Sequence, residues 1–300
     1  MPYKIQHIFD ENKKNNCVIL SNNFSLAKIV LNQGASLQEL TLHSIPIIKE
    51  LPSISYDKSF ASSILFPFAN RIKNGKYTFN KVAYQTEINQ LEEQNALHGF
   101  VHNKEFLLVK KQTNSHKAIV IVEYNETNFT KGFPFTYKIR LKYILKNNSL
   151  ELKVQVENTS DIEFPFTLGW HPYFYSADVN ESILKFNASK QVVFDDRKIP
   201  IEAKEVSNSE NFQLKNKKLD DCFYLDNNII EFVTPKYKME LSSSDSNSFL
   251  QLYTPKTKNT IAIEPTTGIS NSFNSEIGLK ILQPKEEYQI SWKLTITNPQ

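Results

Sequence analysis

Few side chains in this sequence combine proton chemistry with an unusual setting. Glu264 ends the apolar run Ile261-Ala262-Ile263 and is followed by Pro265. A carboxylate at the apolar end of a strand is partly desolvated, which raises its pKa toward the range useful to a general base. The position also reads as an ordinary strand-end glutamate. His171 sits in Phe164-Pro165-Phe166-Thr167-Leu168-Gly169-Trp170-His171-Pro172-Tyr173-Phe174, an aromatic stretch punctuated by proline. His98 sits in Ala96-Leu97-His98-Gly99-Phe100, after a polar loop. A histidine among aromatic rings suits a sugar site, because the C–H faces of a pyranose pack on rings. The plainer alternative is a core histidine whose ring nitrogens bond to backbone. Asp220 opens Asp220-Asp221-Cys222-Phe223-Tyr224-Leu225, where charge meets an apolar strand pattern. Arg71 follows Phe66-Pro67-Phe68-Ala69-Asn70 and needs a partner if buried, though none if it is a surface arginine. The other histidines, His7, His43, His102 and His116, sit in unremarkable settings and read as surface residues.

Other chemistries find little support. The sequence has no GxGxxG, P-loop, HExxH or GxSxG. Cys17 and Cys222 are its only cysteines, too few for a disulfide framework or a CxxC zinc site. They read as reduced thiols. No tight metal-ligand spacing occurs, so no metal is assigned, although two histidines and a carboxylate brought together by folding remain a possible ligand set.

The elements that must position these residues are strands. Ile139–Leu145 and Leu150–Val156 alternate apolar and polar residues on either side of Asn147-Asn148, the pattern of a β-hairpin with one buried face. Tyr288–Thr297 repeats the alternation. Further strands are expected at Ala27–Leu31, Ser36–Leu42, Lys76–Phe79, Phe106–Lys110, Ala118–Tyr124, Ile229–Val233, Lys238–Leu241, Phe249–Tyr253 and Thr260–Ile263. The segment 164–174 does not alternate and is not expected to form a plain strand. No stretch keeps apolar residues at i, i+3, i+4 and i+7 over three turns, so helices should be few and short. The expected fold is all-β, a large antiparallel β-sandwich. Strand signals run at similar density on both sides of the polar stretch 202–218, which therefore reads as a surface excursion. Residues 1–300 are expected to form one domain, although the length alone suggests two.

Composition narrows the function classes. Lys and Arg number 35 against 32 Asp and Glu, a net charge of +3, too small a bias for nucleic acid or an anionic membrane. With Phe 21 and Tyr 13, the chain has the aromatics for a large core. Gly is only 7, so asparagine is expected to take many left-handed turn positions. The N-terminus lacks a signal pattern and no apolar run is long enough to span a membrane, which points to the cytoplasm.

Five blocks carry a family resemblance. They are Asn70-Arg71-Ile72 with Gly75-Lys76-Tyr77-Thr78-Phe79; Leu97-His98-Gly99-Phe100; Gly169-Trp170-His171-Pro172-Tyr173-Phe174; Leu219-Asp220-Asp221-Cys222-Phe223; and Ile263-Glu264-Pro265-Thr266-Thr267-Gly268. In order and separation, from about residue 65 to 275, they resemble the aldose 1-epimerase (galactose mutarotase) family. The resemblance implies a large β-sandwich and interconversion of the α and β anomers of a free aldohexose, with no cofactor. It implies that Glu264 is the general base on the C1 hydroxyl and His171 the general acid on the ring oxygen. It also implies that Arg71, His98, Asp220, Asn70 and Tyr173 line the sugar site. The implied partner is a small sugar, and the protein a monomer or homodimer.

Two departures matter. Pro172 follows the second histidine, where the family often has Ser or Thr. The aspartate block is a pair, so Asp221 competes with Asp220. Alternative readings are a hexose-phosphate mutarotase, which needs basic residues beyond Lys73 and Lys76; a non-catalytic carbohydrate-binding sandwich; and a glycosidase that pairs Asp220 with Glu264.

Overall fold

A computed structural model describes residues 2–9, 16–51, 53–206, 209–246 and 248–297, without the side chains of 209 and 210. The architecture is the expected antiparallel β-sandwich. Among the described residues, helix is limited to two four-residue α-turns, Tyr56–Ser59 and Ser272–Ser275, and a 3-10 turn at Val101–Asn103. None is long and apolar enough to cross a membrane.

Three sheets make up most of the chain. The largest has nine strands, in the spatial order Leu107–Thr113, Ala118–Glu126, Tyr137–Lys146, Ser149–Asn158, Glu287–Thr297, Lys238–Ser243, Ile229–Val233, Ile183–Phe186 and Ser209–Gln213. The predicted hairpin is there, with Lys146 opposite Ser149 across the Asn147-Asn148 turn. An eight-stranded sheet runs Pro200–Glu205, Ala188–Phe194, Asp220–Leu225, Phe249–Tyr253, Thr260–Thr266, Gly169–Trp170 and Ile64–Leu65, with Tyr173–Tyr175 also paired to Thr260–Thr266. A five-stranded meander holds Lys4–Phe9, Asn16–Ser21, Leu26–Val30, Ser36–Leu42 and Ile45–Ile48.

Alternation sets which face is buried. Leu141, Tyr143, Leu145, Leu152, Val154, Ile290, Trp292 and Leu294 point from the nine-stranded sheet into one core with Leu250, Leu252, Ile261 and Ile263 of the eight-stranded sheet. Each such aliphatic side chain contributes roughly 1.5–3 kcal/mol relative to an exposed position. Trp170 and Trp292 stack between the two layers, their ring centroids 6.1 Å apart. On the eight-stranded sheet the residues between these core positions look the other way. There the register sets Gln251 opposite Glu264 and Cys222, and Asp220 opposite Tyr253.

The polar stretch 202–218 differs from expectation. It supplies Pro200–Glu205, at one edge of the eight-stranded sheet, and Ser209–Gln213, at one edge of the nine-stranded sheet. Edge strands carry charge that discourages further pairing, so they look like loops in sequence. Ser207 and Asn208 lie outside the described residues. Asn70, Asn74, Asn80, Asn216, Asn259 and Asn271 all adopt left-handed backbone, the turn role expected of asparagine.

Candidate active site

Glu264 lies within the strand Thr260–Thr266, where every residue is buried. Since Ile261 and Ile263 fill the core, alternation turns Glu264 to the opposite face. His171 follows the two-residue strand Gly169–Trp170, and Pro172 separates it from Tyr173–Tyr175. Its amide donates to the Ser63 carbonyl and its carbonyl accepts from the Ser62 amide. These constraints place His171 Nε2 3.3 Å from Glu264 Oε1, with both side chains almost fully buried. Glu264 Oε2, His171 Nδ1 and His98 Nδ1 are buried and have no hydrogen-bond partner in the protein.

His98 reaches the same place by another route. It follows Asn95–Leu97, which pairs with Arg71–Lys73, and its amide donates to the Asn70 carbonyl. His98 and Gly99 both have positive φ, and a Cβ on Gly99 would lie 2.1 Å from the Phe66 carbonyl oxygen. Only glycine permits that approach. The His98 ring meets His171 edge-on at 5.2 Å and Phe60 at 4.8 Å.

A hydrogen-bonded chain forms the adjoining floor. Gln251 Nε2 donates to Asp220 Oδ1 at 2.9 Å, and Asn70 Nδ2 donates to Gln251 Oε1 at 3.3 Å. Arg71 donates from Nη1 to Asn70 Oδ1 at 3.3 Å and from Nε to Gln90 Oε1 at 3.0 Å. Lys198 Nζ approaches Asp220 Oδ2 at 3.2 Å. The cavity there, about 170 Å³, is lined by Arg71, His98, His171, Asp220, Gln251 and Glu264, and also by Asn70, Phe60, Tyr173 and Tyr253.

Every site residue expected from sequence is therefore in one pocket. Asp220 lines the cavity, whereas Asp221 points to the other face and accepts from Gln191 Nε2 at 2.8 Å. Tyr173 lines the pocket but stacks on the His171 ring at 4.9 Å and donates its hydroxyl to the Ser59 carbonyl. Its neighbour Trp170 serves the core. Lys73 and Lys76 are exposed and line no part of the cavity. Sequence reasoning missed Gln251, whose signal was a lone amide inside the apolar run Phe249-Leu250-Gln251-Leu252. It also missed Phe60, Gln90, Tyr253 and Lys198, which carry no local signal. His102 is not a surface histidine; its ring packs edge-on against Phe60 and burial pushes it down to about 4.

Burial governs the electrostatics. It pushes the Glu264 carboxyl well above the ordinary carboxylate range, helped by Asp220 and opposed by Arg71. It pushes the His171 imidazole down to about 4, against the pull of a backbone hydrogen bond, and pushes His98 well below its usual value. Both shifts disfavour charge and so favour a carboxyl beside a neutral imidazole. His98, His171 and Glu264 meet, yet among the described residues no group of three or more His, Cys, Asp or Glu is arranged to hold a metal ion.

A larger cavity, about 270 Å³, lies behind the turn Tyr56–Ser59. Much of its polar lining is already engaged, Lys28 with Glu39 and Glu50, and Tyr56 with Gln33, Ser63 and His102, while the Ser59 hydroxyl is buried without a partner.

Comparison with known proteins bears on the fold and the family. The chain is 22% identical over 277 residues, 88% of each sequence, to YihR of Escherichia coli K12, an uncharacterized protein. Its fold matches a galactose mutarotase-like protein from Clostridium acetobutylicum with a TM-score of 0.88 at 21% identity, covering 99% of both chains. It also matches a galactose 1-epimerase from Lactobacillus acidophilus with a TM-score of 0.83 at 18% identity, again covering 99% of both. The family model for aldose 1-epimerase matches residues 16–295. The chain belongs to the aldose 1-epimerase family.

Proposed function

We propose that this protein interconverts the α and β anomers of a free aldohexose, of the glucose or galactose type, by acid/base ring opening without a cofactor. The observation that carries the reading is the 3.3 Å contact between the buried side chains of His171 and Glu264, Nε2 to Oε1. Ring opening removes the proton of the C1 hydroxyl and delivers one to the ring oxygen. In the forward sense Glu264 accepts the first and His171 supplies the second. The pair thus passes from carboxylate and imidazolium to carboxyl and imidazole while its proton count stays the same. The open-chain aldehyde then coexists with the neutral pair, the form that burial favours. Rotation about C1–C2 and closure with the roles exchanged give the other anomer. Each proton transfer of this kind typically contributes about 10²–10⁴-fold in rate.

The remaining residues bind. Arg71, Asn70, Gln251 and Asp220 are joined in one hydrogen-bonded chain, so a pyranose meets donors and acceptors with fixed positions. Charge-assisted hydrogen bonds from Arg71 and to Asp220 are stronger than neutral ones. For the phosphosugar reading, neither Lys73 nor Lys76 lines the cavity, and Lys58 is the one lysine among the residues that do. Against the glycosidase reading, Asp220 is tied to Lys198 and Gln251, while Glu264 faces an imidazole.

The test follows the optical rotation of freshly dissolved α-D-glucose and α-D-galactose with catalytic protein, beside a Glu264→Gln variant. Wild type should speed equilibration. The variant should lose about 10²-fold or more of the rate. It should melt no lower than wild type, because it removes a buried carboxyl whose ionised form is disfavoured. Near-normal rates in the variant would refute the assignment of the base.

A further inference from the structure

Lys198 does not itself line the cavity, but it is held beside Asp220, which does, with more structure than an ordinary surface lysine receives. It sits at the turn between Ala188–Phe194 and Pro200–Glu205, two strands at the far edge of the eight-stranded sheet. Asp195 Oδ1 accepts from the amides of Arg197 and Ile199, closing the turn. Arg197 then fastens it to the segment before His98. Its Nε donates to the Glu93 carbonyl at 2.7 Å, and its Nη2 donates to Asn74 Oδ1 at 2.7 Å, the Gln94 carbonyl at 2.9 Å and Asn95 Oδ1 at 3.1 Å. Asn95 Nδ2 answers by donating to the Arg197 carbonyl. Ser270 Oγ donates to the carbonyl of Lys198 itself. Lys198 has a φ of +61°, a conformation uncommon for a residue with a side chain.

All this delivers an ammonium group to Asp220 Oδ2. A half-exposed ion pair contributes little to folding, so stability does not account for the device. The chemistry at that spot is specific. Asp220 accepts and Lys198 donates, side by side. Glu264 pairs with Gln251, whose strand neighbours that of Asp220, so Asp220 stands two strands, or about 10 Å, from the acid/base pair. An aldose with C1 at Glu264 presents its more distant ring hydroxyls there. Two neighbouring hydroxyls offer the complement, one donating to the carboxylate and the other accepting from the ammonium.

We propose that Lys198 is a specificity-determining residue, which with Asp220 reads two adjacent hydroxyls on the side of the sugar away from C1. This rests on the mutarotase reading of the pocket. Lys198→Met and Lys198→Arg are compared with wild type in polarimetric assays on glucose, galactose and mannose, which differ only in hydroxyl configuration. Glucose 6-phosphate and glucuronate supply anionic controls. Folding is checked by thermal melting. Lys198→Met should raise KM for the preferred hexose roughly tenfold, leave kcat within about threefold and narrow the differences among the three hexoses. Lys198→Arg should recover part of the loss. Unchanged KM values and ratios in Lys198→Met overturn the proposal. So does a loss confined to the two anionic sugars, which would make Lys198 an anion contact. Wild type inactive on every sugar overturns the mutarotase reading itself, and this proposal with it, before any variant is compared.

Discussion

His171 and Glu264 feel burial in opposite senses, and their shared proton sets the pH dependence. Acid adds a second proton to the pair near pH 4, where His171 titrates. Base removes the last proton from Glu264, well above the usual carboxylate value of 4.5. The profile of kcat/KM should therefore be a bell whose acid limb falls near pH 4 and whose alkaline limb belongs to the raised carboxyl. A steady-state series across pH checks it, and an acid limb near 6.5 would contradict the neutral pair. His171→Asn should lower kcat by about 10²-fold with a smaller change in KM. Kinetics like wild type would move the acid role to His98, the neighbouring imidazole. These residues were legible in sequence because each interrupts an apolar or aromatic run. Gln251 interrupts one too, yet an amide does not titrate, so no proton chemistry marks it in the sequence.

Short elements, more than long strands, aim the site. Gly169–Trp170 and Asn95–Leu97 are two and three residues long, and each releases a histidine into the pocket where its pairing ends. The left-handed pair His98-Gly99 makes the second release possible. Gly99→Ala would force a Cβ onto the Phe66 carbonyl at positive φ. It should destabilise the protein by several kcal/mol, read as a lower midpoint in urea. A midpoint unchanged from wild type would show that the loop relaxes freely. Long alternating strands such as Tyr137–Lys146 and Ser149–Asn158 could be read from sequence, because one wet and one dry face write a period of two. Lys4–Phe9 was not readable, being exposed almost throughout, nor was Asn16–Ser21, where burial on both faces erases the alternation. Lys198 was hidden for a different reason. Asp195-Asp196-Arg197-Lys198 looks like any solvated charge run, and only the tertiary anchoring of Arg197 singles out one of its members.

For the molecule as a whole, the site is a buried polar cluster within a fold otherwise held by apolar contact. Its imidazoles link stability to pH. His171 has a folded value of about 4 against 6.5 unfolded, so the unfolded chain takes up a proton first as pH falls. The contribution is whole above pH 6.5 and is lost toward pH 4. His98 and His102 act in the same sense. Glu264 acts in the opposite sense, losing stability as pH rises through its raised value. Melting temperature should drop between pH 6.5 and 4, less steeply in His171→Asn. Equal slopes in scanning calorimetry would argue against a neutral buried imidazole. The sandwich itself was foreseeable from many short alternating runs, whereas strand order was not, since pairing partners lie far apart in sequence. That separation has a consequence for synthesis. The strand Glu287–Thr297 lies between Ser149–Asn158 and Lys238–Ser243, near the middle of the nine-stranded sheet. A ribosome makes it after both of its partners. Until then the sheet is two separate pieces, each with an unsatisfied edge beside the Trp292 side of the core. The main layer is completed only after this strand has been made, and the interval before that is when edge-to-edge aggregation competes with folding.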